Sequence, residues 1–141
     1  MCTNITALVE SGLKEGAYYV ELYSKSFEEA LGLKPYPGTL NMRVLDGLEE
    51  LKKCLAEGEP VVVKPPVDKA WLNPVLAYPA ELKTLPTVKV YLIRPLVTKH
   101  GDKVIELISN VSLREELKLK DGDVIVLKVC CKGGFSCFSM S

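Results

Sequence analysis

The sequence contains no apolar run near the roughly 20 residues that a membrane-spanning helix needs. Its first residues, Met1-Cys2-Thr3-Asn4, have neither the basic region nor the apolar stretch of a signal peptide. Charge of one sign is not in excess either, because 18 basic residues balance 18 acidic ones. Binding to DNA or RNA normally needs a basic face. We therefore expect a cytoplasmic protein whose partners include neither a membrane nor a nucleic acid.

Cysteines are few and irregularly spaced. The five of them include no Cys-x-x-Cys pair of the kind that binds zinc. Cys130 and Cys131 are adjacent, so their side chains point to opposite faces of a strand. We expect reduced thiols, some in a core and one in a tail. Residues 132–141 have turn formers but no strand or helix period, which predicts a flexible Cys-containing tail after a domain over residues 1–131.

Seven short runs have the composition of β-strands. The chain of 141 residues is 48% hydrophobic and 26% charged, which is the balance of one globular domain. The runs are rich in Val, Ile and Tyr and are bounded by Gly, Pro, Asp and Asn. They cover residues 5–9, 18–22, 40–45, 60–63, 88–93, 104–109 and 124–129. Prolines between residues 64 and 86 argue against a long central strand there.

Helices are predicted at only three places. Capping-box spacings begin at Ser26 and Ser112, and Gly32 ends the first of these helices. A third helix over residues 48–56 has its leucines on one face. The fold class is therefore mainly β, a small closed or nearly closed β-barrel with two or three short helices.

Two glycine-containing segments have residues that suit phosphate and metal. Ser-Gly-Leu-Lys-Glu-Gly-Ala (11–17), placed between two predicted strands, has glycines whose backbone N–H groups can converge on an anion. An ordinary turn uses the same residues. In Pro-Tyr-Pro-Gly-Thr-Leu-Asn (35–41), Thr39 and Asn41 share one face of a strand. Two neutral oxygens suit Mg²⁺, although two outward-facing polar residues at a strand start give the same pattern.

A third segment runs from Arg94 to Arg114. Glu106 lies between apolar neighbours in a predicted strand, where a carboxylate is costly unless it is exposed or paired. It therefore faces either a ligand or solvent. His100, the one histidine, has the setting of a loop residue, and Arg114 is either solvated or in reach of a phosphate.

Taken in order, these segments resemble the archaeal CTP-dependent riboflavin kinase family. The matching stretches cover residues 11–20, 31–42, 94–100 with 104–108, and 112–125. The resemblance extends over about residues 5–129 and implies a cradle-loop β-barrel. It also implies that the chain transfers the γ-phosphoryl group of CTP to the 5′-hydroxyl of riboflavin, giving FMN and CDP, with Mg²⁺. We expect it to act as a monomer.

The resemblance also implies roles for particular residues. Thr39 and Asn41 would bind Mg²⁺, Thr98 and Glu106 would contact the flavin, and Glu106 is our candidate general base. The nucleotide would be held by two groups of residues, which are Gly12, Leu13, Lys14, Glu15, Gly16 and Ala17 in the first and Val111, Ser112, Leu113 and Arg114 in the second.

One position departs from the family pattern. The family usually has Gly where this chain has Lys14, which is either strained there or brings a positive charge to the phosphates. Two other functions stay open. One is a non-catalytic flavin- or nucleotide-binding module on the same barrel, and the other is a transcription factor of the related swapped-hairpin barrels, which zero net charge disfavours.

Overall fold

The computed structural model describes residues 1–12, 15–95 and 103–131. Seven antiparallel strands form one sheet in the order β3-β4-β5-β6-β2-β1-β7. Pairing of β4 with β7 closes six of them into a barrel and leaves β3 outside. The strands are β1 (Cys2–Glu10), β2 (Leu40–Asp46), β3 (Val61–Val63), β4 (Val75–Leu82), β5 (Leu85–Pro95), β6 (Val104–Ser109) and β7 (Val124–Cys130). The predicted mainly β barrel is confirmed.

Short helices close and cover the barrel. They are α1 (Glu15–Leu22), α2 (Ser24–Leu31), α3 (Leu48–Glu57) and α4 (Leu113–Glu116), with a 3-10 turn at Val67–Lys69. Leu51 and Leu55 of α3 pack into the barrel core at one end, and Leu113 packs into it from α4. Of the described helices, none is long and apolar enough to cross a membrane.

Two apolar cores lie on opposite faces of the same sheet. Alternate residues of the strands fill the barrel interior, as Ile5, Ala7 and Val9 do from β1. The opposite face of β3 to β6 forms a second core with α1 and α2, in which Phe27 is fully buried. The outside of the barrel is therefore covered by helices on one side, and this placement matters for the candidate site.

The strand predicted over residues 18–22 is wrong, because this segment belongs to α1. Tyr19, Tyr23 and Phe27 follow one another at four-residue spacing, and their rings pack in sequence with centroids 4.8 and 6.2 Å apart. Burial of this aromatic row in the second core outweighs the β preference of Tyr-Tyr-Val. The 11–17 segment consequently lies between a strand and a helix, not between two strands.

The capping box predicted at Ser26 is also wrong. Helix α2 begins at Ser24 after Tyr23, which makes no side-chain cap. Its predicted end is confirmed, since Gly32 adopts the left-handed conformation there, with φ 65°. The box at Ser112 is confirmed at its first residue, because the Ser112 hydroxyl accepts a 3.3 Å hydrogen bond from the Glu115 N–H.

The expectation that prolines exclude a central strand between residues 64 and 86 is wrong. Strand β4 includes Pro79 and pairs with β5 along its length. On its other edge, residues 75–77 pair with β3 and residues 80–82 pair with β7. Pro79 lies at this change of partner, where a missing N–H interrupts neither ladder.

Reduced thiols were expected, but the structure has two disulfides, Cys2–Cys130 and Cys54–Cys131. Cys2 lies directly opposite Cys130 in the pairing of β1 with β7. Cys131 bonds instead to Cys54 of α3. The opposite directions of two adjacent side chains, as expected, thus serve two different cross-links. The predicted tail, which contains Cys137, is outside the described residues.

Candidate active site on the outer face of the barrel

Three polar side chains form a row across neighbouring strands. Glu10 of β1 pairs with Asn41 of β2, and Asn41 pairs with Glu106 of β6. The residues next to them in sequence, such as Leu40 and Leu107, point into the barrel core. Glu10, Asn41 and Glu106 therefore share the outer face, where directly paired residues have Cβ atoms about 5 Å apart.

Thr39 joins this row from the start of β2. Its hydroxyl contacts the Asn41 side-chain oxygen at 2.9 Å and a carboxylate oxygen of Glu106 at 3.4 Å. Asn41 is buried, with 6% of its surface exposed. The structure thus brings together a hydroxyl, an amide and a carboxylate oxygen from three of the residues singled out in the sequence. Glu106 is half-buried and contacts Thr39, so the purely solvated setting does not apply to it.

This set of oxygens fits Mg²⁺. The ion prefers oxygen ligands, binds few of them from the protein and completes its octahedral shell with water and phosphate oxygens. Thr39, Asn41 and Glu106 would supply up to three oxygens on one side of such a shell. Within residues 1–12, 15–95 and 103–131, no group of three or more His, Cys, Asp or Glu side chains is arranged to hold a metal ion.

The backbone of Gly12 lies directly against Asn41. A Cβ atom added to Gly12 would overlap the side-chain nitrogen of Asn41. Gly12 does not have a positive φ. Glycine is therefore required there by the close approach of the Asn41 side chain and not by the backbone conformation. The first glycine of the 11–17 segment therefore contacts a candidate metal ligand.

Helix α1 starts inside this segment, at Glu15. Glu15, Gly16 and Ala17 form its first turn, so the predicted loop is shorter than expected. The first N–H groups of a helix have no partner inside the helix, and they lie at the positive end of its dipole. Leu13 and Lys14 lie outside the described residues.

Arg114 is held by two partners at the edge of the site. Its Nη2 donates to the carbonyl oxygen of Glu10 at 3.2 Å and pairs with an Asp121 carboxylate oxygen at 3.0 Å. The other Asp121 oxygen accepts a hydrogen bond from the Ser11 hydroxyl. These bonds from Ser11 and Arg114 lower the pKa of Asp121 below its usual value.

A cavity of about 180 Å³ separates the 35–41 segment from α4. Thr39 lines it on one side, and Ser112 and Arg114 line it on the other. Its remaining lining residues are Tyr36, Gly38, Leu40, Leu107, Ser109, Val111 and Leu113. The cavity thus connects Thr39, one of the candidate metal ligands, with the second group of predicted nucleotide-binding residues. Leu113 is buried in the core, so its backbone is the part that a ligand can reach.

Tyr19 of helix α1 lies near Glu106 of this row. Burial raises the pKa of Tyr19 above its ordinary value, and the Tyr23 hydroxyl and the Glu106 carboxylate raise it further. Tyr19 therefore stays protonated at neutral pH, and it lies close enough to Glu106 for the carboxylate to oppose its ionisation. Thr98 and His100, predicted on the third segment, lie outside the described residues.

Sequence reasoning missed Glu10 and Asp121 as residues of this site. Alternation along β1 shows that Glu10 faces outward, but its proximity to Asn41 depends on strand pairing. Asp121 lies in a turn, and its closeness to Ser11 and Arg114 likewise depends on long-range packing. Glu10 also binds Arg43, with its Oε1 2.6 Å from Nε, so the outer face carries an ion pair beside Asn41.

Comparison with known proteins identifies the family. The model of the CTP-dependent riboflavin kinase family, described as the domain of unknown function DUF120, matches residues 9–129. A riboflavin kinase of Aeropyrum pernix is 38% identical over 88% of this chain and 93% of its own length. One of Staphylothermus marinus is 42% identical over 83% and 84%. One of Thermococcus kodakarensis is 41% identical over 89% of this chain and 58% of its own length. The chain therefore belongs to the CTP-dependent riboflavin kinase family.

Proposed function

We propose that this protein is a riboflavin kinase that transfers the γ-phosphoryl group of CTP to the 5′-hydroxyl of riboflavin. The observation that carries the proposal is the convergence of Thr39, Asn41 and Glu106 within 2.9 and 3.4 Å, directly beside the backbone of Gly12. Family membership supplies the reaction class, and the names of the relatives supply the acceptor.

In this proposal the nucleotide phosphates lie in the cavity between Thr39 and α4, close to the Gly12 segment. Backbone N–H groups of the Gly12 segment and of the first turn of α1 suit a phosphate chain. Ser112 and Arg114 line the cavity opposite Thr39. In this arrangement the phosphates lie beside the oxygens of Thr39 and Asn41, which would hold Mg²⁺. When bound, the ion neutralises charge on the β- and γ-phosphoryl oxygens.

Glu106 is the proposed catalytic residue. Phosphoryl transfer depends mainly on alignment and charge neutralisation, so the protein has to orient one hydroxyl. The riboflavin 5′-oxygen forms a bond to the γ-phosphorus while the bond from that phosphorus to the β-phosphate oxygen breaks. The hydroxyl proton passes to the Glu106 carboxylate, and CDP leaves. Thr98, in the same proposal, contacts the flavin.

The test is an FMN assay with separate nucleotides. Purified protein is incubated with riboflavin, Mg²⁺ and one of CTP, ATP, GTP or UTP, and the flavins are separated by chromatography. We expect FMN with CTP alone and its loss in Thr39→Ala. The matched control is Thr3→Ala. Thr3 lies at the end of β1 that is remote from Glu10 and Asn41, so this variant should keep full activity.

Three other results would each correct the proposal differently. FMN formed with ATP would keep the kinase and overturn the donor, directing attention to Lys14. FMN formed without Mg²⁺, in protein stripped by a chelator, would overturn the metal site. Flavin bound by folded protein that makes no FMN with any nucleotide would leave a binding module.

A further inference from the structure

We propose that Asp121 is a positioning residue that holds the Gly12 segment against α4 and so sets the affinity for the nucleotide. The inference rests on the proposed function, since it assumes that these two segments hold the phosphates. Asp121 belongs to neither segment. It lies in the turn before β7, where the sequence indicates only a change of chain direction.

The carboxylate of Asp121 bridges the two segments. One oxygen accepts the hydrogen bond from Ser11, the residue before Gly12. The other lies 3.0 Å from Nη2 of Arg114 in α4. Ser11 and Arg114 are 110 and 7 positions from Asp121 along the chain. Asp121 thus has one partner on each side of the proposed phosphate site.

The backbone under Asp121 is itself fixed. The N–H of Gly122 donates to the carbonyl oxygen of Val9 at 2.8 Å, and the N–H of Val9 donates to Asp123 at 2.8 Å. Gly122 has φ 94°, a conformation that a side chain would strain. The turn is therefore tied to the end of β1, and the Asp121 carboxylate starts from a defined place.

Ser11 transmits this restraint to the metal-binding side. Gly12 follows it directly and packs against Asn41 so closely that no Cβ would fit. Loss of the Ser11 hydrogen bond would free the segment next to this contact. Its backbone N–H groups would then have to be ordered again each time a nucleotide binds, which weakens affinity.

The charge of Asp121 allows a clear test, because charge repulsion and the positioning role predict opposite effects of removing the carboxylate on nucleotide binding. A carboxylate near phosphates repels them, so if charge alone mattered, removing it would strengthen binding. The positioning role predicts weaker binding. The side chains of Arg114 and Asp121 are 41% and 53% exposed, so each contact is individually modest. We expect Asp121→Ala to raise the dissociation constant of CDP about three- to tenfold.

The experiment is calorimetric titration of CDP into the full chain and its variants. Asp121→Ala and Ser11→Ala should both bind CDP more weakly. The matched control is Asp68→Ala, an exposed acid that also contacts a basic neighbour, Lys69, on another surface. It should bind as the unsubstituted protein does. In the kinase assay, Asp121→Ala should raise KM for the nucleotide and leave KM for riboflavin and kcat unchanged within about twofold. The melting temperature should fall only slightly, because partly exposed contacts of this kind add little to stability.

Equal or tighter CDP binding by Asp121→Ala would overturn the positioning role while the proposed function stands. Equal rises in both KM values, or a large fall in melting temperature, would also overturn it, since they indicate a general structural change and not a local effect on the nucleotide site. If the unsubstituted protein binds neither CDP nor any other nucleoside diphosphate, both the inference and the proposed function are wrong.

Discussion

The two ends of the barrel are held together by different means. Strands β1 and β7 run antiparallel between them, and the nine residues of β1 span roughly 26 Å. At one end two disulfides tie β1, β7 and α3 together around buried Leu51 and Leu55. At the other end Glu10, Ser11, Arg114 and Asp121 are joined by partly exposed polar contacts. Covalent and apolar stability is thus concentrated away from the candidate site, whose weaker contacts leave it free to adjust to ligands.

Reducing the disulfides tests the covalent end and should have the largest effect. The bonds close loops with sequence separations of 128 and 77 residues. Cross-links over loops of this length stabilise a protein by about 4–5 kcal/mol each in the chain-entropy model. We expect a reductant to lower the free energy of unfolding by about 4 kcal/mol or more in urea denaturation. CDP affinity of the protein that remains folded should not change.

Double variants separate the two bonds. Two double variants, Cys2→Ala with Cys130→Ala and Cys54→Ala with Cys131→Ala, should each lose part of this free energy of unfolding. Both should keep full activity in the kinase assay. A fall in nucleotide affinity in either variant would show that the two ends are coupled and would contradict the comparison.

Glu106→Gln tests the site end and should have the next largest effect. The amide keeps the size of the side chain but accepts no proton at neutral pH. Loss of a general base lowers kcat by about 100-fold or more. Steady-state kinetics with riboflavin check this, and the melting temperature should hold. Glu81→Gln, in β4 at the far side of the barrel, is the matched control. Full turnover by Glu106→Gln would make the base role wrong.

Gly12→Ala should have a smaller effect, confined to the site. The new methyl group overlaps the Asn41 amide, so either the segment or Asn41 must move. We expect kcat/KM for the nucleotide to fall about tenfold, which corresponds to about 1.4 kcal/mol. The contrasting variant is Gly32→Ala. The added methyl group meets nothing within 4 Å, but the backbone of residue 32 has φ 65°. Gly32→Ala should therefore cost about 1 kcal/mol of stability and leave the kinetics unchanged.

Acid should weaken the polar contacts first, and this effect is the smallest. The pKa of Asp121 is lowered by its bonds to Ser11 and Arg114. In the folded protein Asp121 therefore keeps its charge, and with it these two contacts, down to the ordinary carboxyl pKa of about 4 and loses them as pH falls further, through the lowered value. CDP titrations between pH 3 and 6 should show affinity decreasing below about pH 4. Asp121→Ala should lose part of that dependence.

Local patterns predicted much of the fold, and long-range pairing accounts for the rest. Runs of β-forming residues indicated β1, β2, β6 and β7, and alternation along β2 placed Thr39 and Asn41 on one face because a single residue, Leu40, separates them. It did not show that Glu106 lies opposite Asn41, because register depends on both strands. The same limit hid the bond of Asp121 to Ser11 and the pairing of Cys2 with Cys130. Helix α1 was missed because its aromatic row gains its stability from the second core.

At the disulfide-linked end of the barrel, residue 1 also lies beside residue 131. The N–H of Cys131 donates to the carbonyl oxygen of Met1 at 2.9 Å, next to the bond between Cys2 and Cys130. A short peptide can therefore join residue 131 to residue 1, and new termini can be opened in the exposed turn at Val67–Lys69. Such a circular permutant keeps every strand pair of the barrel and places the new chain ends between β3 and β4.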